Sequence, residues 1–184
     1  MGRSIAQEMS AKLGIEFYDR DIVEYTAKRL GQPVSVISDT EENDKTMFFR
    51  RQYPLGMGHA NMQDEIFDVQ TNIIRDLAAK ESCIIVGRCA NYVLKDCPNV
   101  LNVFIYAPVD ARIKNCVELL GMEEAKALPM IRSVDTARER YRKHYCREAD
   151  TFYDYHDLFI DSSRFGVQGT ADILCDVVKR TFEA

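Results

Sequence analysis

Three arginines and one aspartate share a face of a helix predicted in the last third of the chain. They are Arg132, Asp135, Arg138 and Arg142, spaced by three, three and four residues. Side chains at these separations lie one above another on an α-helix. Guanidinium groups on one face repel unless they meet an anion, and Asp135 offsets only part of their charge. The stripe is therefore either an ordinary solvated face or a site for phosphate, whose charge arginines stabilise during phosphoryl transfer.

Two shorter segments supply further candidate anion ligands. The pair Gly87-Arg88 directly follows an apolar run at 83–86, so a close backbone turn would present a planar guanidinium suited to phosphate or carboxylate. A surface arginine at a turn is the alternative. The tripeptide Gly2-Arg3-Ser4 opens another predicted helix. Because N–H groups at a helix N-terminus bind phosphate, this glycine, cation and hydroxyl form a weak second signal for an anion site.

Apolar spacing and the positions of glycine and proline predict helices that alternate with short strands. Helices are predicted at 3–13, 20–30, 63–80, 110–120, 123–143 and 170–182, and strands at 15–18, 83–86, 101–106 and 158–160. Residues 38–61 are the most loop-like part. This alternation predicts an α/β fold with a parallel sheet. Ligands bind at the carboxyl ends of such strands, where Asp19, the predicted cap of the second helix, and Arg88 both lie.

Length and composition favour one soluble domain. The chain has 184 residues, of which 46% are hydrophobic and 29% charged, and its net charge is -5. No apolar run approaches the ~20 residues of a membrane helix, and the start has no apolar region typical of a secretory signal. We therefore expect a cytoplasmic protein that binds no membrane. Mild acidity disfavours nucleic-acid binding, which only the basic run at 132–147 would support.

The six cysteines match no zinc-binding pattern. They occupy positions 83, 89, 97, 116, 146 and 175, and no two of them are separated by two residues. Since the chain shows no secretory signal, the sequence predicts reduced thiols with a structural role.

The order of these segments resembles the cytidylate kinase-like branch of the nucleoside-monophosphate kinases, which are P-loop NTPases. The resemblance spans essentially the whole chain. It is carried by residues 2–6 with 13–19, by 85–90, by 135–141, and by 155–158 with 161–164. It implies a three-layer α/β/α domain over residues 1–184. Within that domain, residues 20–80 would form the acceptor-binding subregion and residues 121–147 the lid.

The resemblance also implies which residues hold the phosphoryl donor. Gly2, Arg3 and Ser4 would end the Gly-rich loop that binds the ATP phosphates, with Arg3 in the place of the usual lysine. Ser4 would then bind Mg²⁺ through its hydroxyl group. Arg3, together with Arg138 and Arg142 of the lid, would reach the transferring phosphoryl group and act in catalysis.

The same resemblance implies an acceptor site made of Asp19, Arg88, Arg132 and Asp135. Arg88 would hold the acceptor phosphate, and Asp135 would help to read a cytosine base. The implied reaction is phosphoryl transfer from ATP to a nucleoside monophosphate, first of all CMP or dCMP. The small-molecule partners implied are nucleotides, and no nucleic acid is expected.

Several positions depart from the pattern of the family. Val86 and Cys89 replace the aspartates that flank the Gly-Arg pair, and Arg20 and Tyr25 replace a serine and an arginine that help hold the nucleotide. The arginines expected to act in phosphoryl transfer match the family pattern better than the residues expected to contact cytosine. The sequence therefore leaves open a kinase of another small metabolite, or a weakly active or inactive relative that binds nucleotide for regulation.

The family pattern also places a central strand and most of the Gly-rich loop before the tripeptide Gly2-Arg3-Ser4. Here only Met1 precedes it. We therefore expect the sequence to lack an N-terminal segment of roughly 10–20 residues, enough for one strand and its loop. The absent strand would lie between the strands predicted at 83–86 and 101–106.

Overall fold

The computed structural model describes residues 1–42, 59–146 and 151–182, with side chains described for 1–38, 62–146 and 151–182. Within these ranges helices and short strands alternate. In chain order they are α1 (Gly2–Leu13), β1 (Glu16–Tyr18), α2 (Arg20–Leu30), α3 (Val34–Glu42), α4 (His59–Lys80), β2 (Cys83–Ile85), α5 (Ala90–Val93), β3 (Val103–Tyr106), α6 (Val109–Leu120), α7 (Glu124–Tyr145), β4 (Leu158–Asp161) and α8 (Ser162–Phe182). No helix among the described residues has both the length and the apolar character needed to cross a membrane.

Glycines end three of the predicted helices where the sequence places them. Gly14, Gly31 and Gly121 follow α1, α2 and α6, with φ of 67°, 63° and 63°. This left-handed conformation costs glycine no Cβ clash, and it lets the backbone N–H bond back to the last turn of the helix.

Two helices extend beyond their predicted limits. Helix α4 begins at His59, and α3, which is not among the helices predicted from the sequence, runs from Val34 to Glu42. Part of the predicted loop at 38–61 is therefore helical; residues 43–58 lie outside the described residues. Helix α8 begins at Ser162, well before the predicted start. The helix is interrupted by a kink at Gly166, which has the non-helical values φ of 66° and ψ of -170°. The sequence signal of an apolar stripe begins only after this kink.

The strands form two parallel pairs, β1 with β2 and β3 with β4. The chain is therefore a mixed α/β protein, mostly helical, with small parallel sheets. The single continuous sheet of the sequence-based expectation is not formed by the described residues. The division falls between β2 and β3.

Strand β2 lies between two layers of helices. Cys83 and Ile85 pack into a core made with α2, α4 and α5, whereas Ile84 packs into the core made with α1 and α8. Successive side chains of a strand point to opposite faces, so the continuous apolar run at 83–85 is covered on both sides. The β3–β4 pair contributes Val103 and Ile160 to the second core. Both pairs thus rest on the same helical layer.

Candidate functional site

The carboxylate of Asp19 joins two arginines at the ends of β1 and β2. Its Oδ1 accepts a 2.9 Å hydrogen bond from Nη1 of Arg88, and its Oδ2 lies 3.6 Å from Nε of Arg3. The exposed fractions of the three side chains are 14% for Asp19, 21% for Arg88 and 49% for Arg3. Two cations therefore share one carboxylate, and the cluster carries net positive charge.

The backbone of the Gly87-Arg88 turn places this arginine. Gly87, Arg88 and Cys89 are three consecutive residues with positive φ, at 79°, 52° and 53°. Left-handed conformations cost residues with a side chain about 1–2 kcal/mol, and strain of this kind is common at functional sites. The turn ends where Cys89 precedes the short helix α5. The sequence signal for this feature was the glycine after a buried strand.

Asp19 occupies the N-cap position of α2, as the sequence predicts, but its side chain does not cap the helix. Instead both carboxylate oxygens face arginines from other parts of the chain. The capping role expected for the side chain is therefore wrong. The ionic partners prevail because a hydrogen bond between two charged groups is stronger than one to a backbone N–H.

The tripeptide Gly2-Arg3-Ser4 forms the first turn of α1, one residue earlier than the predicted helix start. Arg3 and Ser4 are exposed, and the first turn contains no acidic residue. The first four N–H groups of a helix have no partner within it, so this end attracts anions. Arg3 thus belongs both to a helix N-terminus and to the cluster around Asp19.

The described residues do not supply a complete magnesium site around Ser4. They contain no cluster of three or more histidine, cysteine, aspartate or glutamate side chains suited to a metal ion. The carboxylate of Asp19 is engaged by Arg3 and Arg88. Magnesium prefers oxygen ligands in octahedral geometry and often takes several of them from substrate phosphates and water. Ser4 alone therefore fits only an ion that arrives with a phosphate ligand.

Asp135 of α7 is paired with an arginine of α6. Arg112 donates two hydrogen bonds of 2.7 Å, one to each carboxylate oxygen of Asp135. These hydrogen bonds hold the pKa of Asp135 below its usual range. The planar fork of arginine matches a carboxylate, so this pair connects the two helices above their shared core at Cys116 and Ile131. Sequence reasoning missed Arg112, because a contact between separate helices leaves no local pattern.

Arg142 lies at the other end of α7 and is held by two neighbours. Glu139, one turn earlier, accepts hydrogen bonds of 3.0 and 2.9 Å from Nε and Nη2 of Arg142. The guanidinium carbon is 5.6 Å from the centre of the Phe152 ring. These hydrogen bonds raise the pKa of Arg142, and its charge also acts on the thiol of Cys89 beside the Gly87-Arg88 turn.

The two other arginines of the stripe are not held in this way. Arg132 and Arg138 are exposed, and neither has an ion-pair partner within the part of the chain that the structure describes. The nearby negative charge of Asp135 is already matched by Arg112. The carboxylate of Asp135 therefore pairs with Arg112 of α6 and not with the arginines of its own helix. The positive charges of Arg132 and Arg138 on α7 are thus left without a described ion-pair partner.

Aromatic side chains hold the C-terminal end of α7 against α4. The rings of Phe67 and Tyr145 stack with centroids 3.9 Å apart and an angle of 14° between their planes. Tyr141 donates a 3.2 Å hydrogen bond to the fully buried Gln70. Helix α7, within the predicted lid, therefore contacts α4, within the predicted acceptor subregion. The sequence predicts both helices, but no spacing or pattern in it predicts that these two rings stack.

The structure thus brings together one group of predicted site residues and separates another. Asp19, Arg3 and Arg88 form one cluster, and Gly2 and Ser4 share the helix turn of Arg3. Arg142 lies on α7, where Glu139 accepts its hydrogen bonds. The remaining candidates share α7 with Arg142 but make no ion pair with the cluster within the described ranges; they are Arg132, Asp135 and Arg138.

Comparison with known proteins supports the resemblance seen in the sequence. The sequence profile of the cytidylate kinase-like family matches residues 1–164. The fold is similar to the crystal structure of an uncharacterized protein from Eubacterium ventriosum, with a TM-score of 0.72 and 26% sequence identity; the match covers 97% of this chain and 92% of that one. No curated protein matches the chain. The profile covers most of the chain, including every candidate site residue described above: the chain belongs to the cytidylate kinase-like family.

Proposed function

We propose that this protein transfers the γ-phosphoryl group of ATP to a nucleoside monophosphate, with CMP and dCMP as the first candidates. The observation that carries the proposal is the arginine cluster around Asp19. Arg88 is fixed at the end of β2 by a 2.9 Å hydrogen bond, and Arg3 comes to the same carboxylate from the N-terminus of α1. An arginine fixed before the ligand arrives loses little entropy when it binds phosphate.

The proposal assigns the two arginines to the two substrates. Arg88 holds the acceptor phosphate, next to Asp19. The first turn of α1 holds the donor phosphates through its N–H groups and through Gly2, Arg3 and Ser4. Because Asp19 bridges Arg3 and Arg88, donor and acceptor would meet over a single carboxylate. Such positioning is the main part of phosphoryl-transfer catalysis, since the protein does little covalent chemistry.

Helix α7 supplies the remaining positive charge. Arg142 is oriented by Glu139 and Phe152, and Arg138 has no ion pair among the described residues that a phosphate would have to displace. In the proposal both neutralise charge on the transferring group. The proposal assigns Arg132 and Asp135 to the acceptor site, where Asp135 would read the base while it stays paired with Arg112. A Mg²⁺ ion that arrives with ATP would supply further charge neutralisation, with the Ser4 hydroxyl as its ligand from the chain.

The direct test is the release of ADP from ATP with a panel of nucleoside monophosphates as acceptors, followed by identification of the phosphorylated product. Arg138→Ala should reduce kcat by about 10³-fold or more, as expected for an arginine that stabilises the transferring group. Arg180→Ala is the matched control, because Arg180 is also an exposed arginine but lies near the end of α8. Equal activity of both variants would contradict the role of Arg138.

A second candidate function is nucleotide binding for regulation, without turnover. It is favoured by the pairing of Asp135 with Arg112 and by the lack of a described carboxylate partner for Ser4. This candidate predicts that nucleotides raise the Tm, since a ligand that binds the native state stabilises it, while no ADP is formed. ADP formation only with a small phosphate-accepting metabolite other than a nucleotide would instead indicate a different kinase.

A further inference from the structure

Helix α6 carries a large share of the exposed apolar side chains. The described residues contain eleven large hydrophobic side chains that are exposed, and four of them belong to this helix of 12 residues. They are Val109, Val117, Leu119 and Leu120, whose exposed fractions are 46%, 36%, 68% and 69%. Single exposed apolar residues are ordinary on a protein surface, but a contiguous group of them marks an interaction site. Helix α6 is therefore a candidate docking surface.

Three apolar side chains form a stripe along α6. Ile113, Val117 and Leu120 are separated by four and three residues, so they lie one above another on the helix. Ile113 and Val117 also line a groove of about 420 Å³. Among the described elements α6 packs mainly against α7, through the buried Cys116. This packing leaves Val117 and Leu120 exposed.

Charges of alternating sign border the same groove. Asp110, Lys114 and Glu118 are spaced by four residues and line the groove beside the stripe. The side chains of Lys114 and Glu118 are 70% and 58% exposed, and 3.9 Å separates Nζ from Oε1. So exposed an ion pair contributes only about 0–1 kcal/mol. Both groups therefore remain available to a partner of opposite charge.

We propose that this face of α6 is the interface of a symmetric dimer, in which the partner is a second copy of this chain. A two-fold dimer brings the same patch of both copies together, so the patch must be complementary to itself. Two copies of α6 that run antiparallel set Lys114 of each copy against Glu118 of the other. A parallel arrangement would set Lys114 against Lys114, and such like-charge contacts are strongly disfavoured.

The charge pattern favours a second copy over a different partner. A groove that binds a strongly charged peptide is expected to carry one sign of charge, whereas this groove carries both signs in alternation. The apolar stripe would supply the centre of the contact and the charges its rim, as in other protein interfaces. None of these residues belongs to the candidate functional site, so the dimer does not depend on the proposed function.

The length of α6 sets the strength expected for the dimer. A helix of 12 residues is about 18 Å long. One such helix on each side gives a contact at the small end of protein interfaces, where association is weak and transient. We therefore expect the dimer to form in the micromolar range and to dissociate on dilution.

Sedimentation of the full chain from about 1 µM to about 100 µM, the range of weak interfaces, tests the dimer. The mass should rise towards twice that of one chain. Val117→Asp places a charge in the apolar stripe and should raise the Kd for dimerisation about 10-fold or more. The matched control is Val34→Asp on α3, since Val34 is also an exposed valine, and it should leave the Kd unchanged.

Charge exchange tests the antiparallel pairing itself. Lys114→Glu sets glutamate against Glu118 of the other copy, and Glu118→Lys sets lysine against Lys114, so each variant alone should dimerise at least several-fold more weakly. An equal mixture of the two variants should form heterodimers, because every facing pair is then attractive. Both positions are exposed, and circular dichroism checks that the variants remain folded.

Two results would overturn the proposal. A wild-type chain that stays monomeric at the highest concentration shows that α6 does not bind a second copy, and a different protein would then be the partner of this face. A wild-type dimer that survives Val117→Asp, with no gain on mixing the charge variants, shows that the copies meet through another surface. The first result and the mixing experiment need no variant in the apolar stripe, so they decide the question even if Val117→Asp fails to fold.

Discussion

Arg88 and Asp19 are hydrogen-bonded across the ends of two paired strands, with 2.9 Å between Nη1 and Oδ1. The pairing of β1 with β2 sets this contact, because Tyr18 is in register with Ile85 and each candidate follows its strand closely. Since Asp19 also lies 3.6 Å from Arg3, one carboxylate orients cations from two separate elements. Its charge is thus the feature of the site that mutation can probe most directly.

Replacing Asp19 by asparagine should weaken acceptor binding. The variant keeps the shape of the side chain but removes the charge that orients Arg88, and a hydrogen bond to a charged group is worth about 1.5–3 kcal/mol. We expect kcat/KM for the monophosphate to fall about 10-fold to 100-fold, mainly through a higher KM. Initial rates at varied monophosphate concentration measure this effect. Asp21→Asn, an exposed aspartate in the first turn of α2, is the control and should leave KM unchanged.

Gly87→Ala should impair activity more than its effect on stability suggests. Gly87 has φ of 79°, and an added Cβ would meet no atom within 4 Å, so the cost is backbone strain of about 1–2 kcal/mol. Gly31 has φ of 63° and equally open space, but it ends α2 away from the cluster. Thermal unfolding should show similar losses for the two alanine variants, whereas only Gly87→Ala should lower kcat/KM. Equal activity of the two variants would show that the turn does not place Arg88.

Much of the fold follows from local signals in the sequence. The glycines after α1, α2 and α6 were recognisable because the chain needs a left-handed residue there, and the run at 83–85 was recognisable as a strand covered on both faces. The end of β2 also predicted the position of Arg88. These features depend on residues close in the chain, which is why one sequence suffices to see them.

The contacts between separate elements that arrange the site could not be predicted from such local signals. Arg112 takes the carboxylate of Asp135, and Phe67 stacks on Tyr145, yet neither pair has a spacing that marks it. The bonding of Asp19 to Arg88 instead of to the first turn of α2 is likewise decided by the packing of separate elements. The Glu139–Arg142 pair, in contrast, has a spacing of three residues on one helix that predicts the contact.

The stability of the protein should fall as the pH drops below about 6.5, through His156. Burial among Phe104, Phe152 and Phe159 is the largest effect and lowers the pKa of His156 from its usual value of about 6.5. Hydrogen bonds to two backbone carbonyls oppose this shift, and the charge of Arg142 adds a smaller lowering. Below pH 6.5 the unfolded chain therefore binds a proton that the folded chain does not. By linkage, the free energy of unfolding decreases until the pH reaches the lowered pKa.

Thermal unfolding between pH 5 and 7.5 measures this dependence. His156→Gln removes the ionisable ring, keeps a side chain able to bond the amide of Asn91, and should flatten the profile between pH 6.5 and 5. His144→Gln, which alters a half-exposed histidine on α7, should retain the slope. A wild-type Tm that does not change over this range would contradict the prediction.

The stacked rings of Phe67 and Tyr145 should couple α4 and α7 energetically. With centroids 3.9 Å apart, such a pair is worth about 0.5–1.5 kcal/mol beyond the area it buries. A double-mutant cycle with Phe67→Leu and Tyr145→Leu, measured by chemical denaturation, should give a coupling energy in this range. Phe67→Leu paired with Phe182→Leu, at the exposed end of α8, is the control cycle and should be additive. An additive Phe67–Tyr145 cycle would mean that the rings only fill space, and the end of α7 would then be held to α4 by its polar contacts, such as the hydrogen bond from Tyr141 to Gln70.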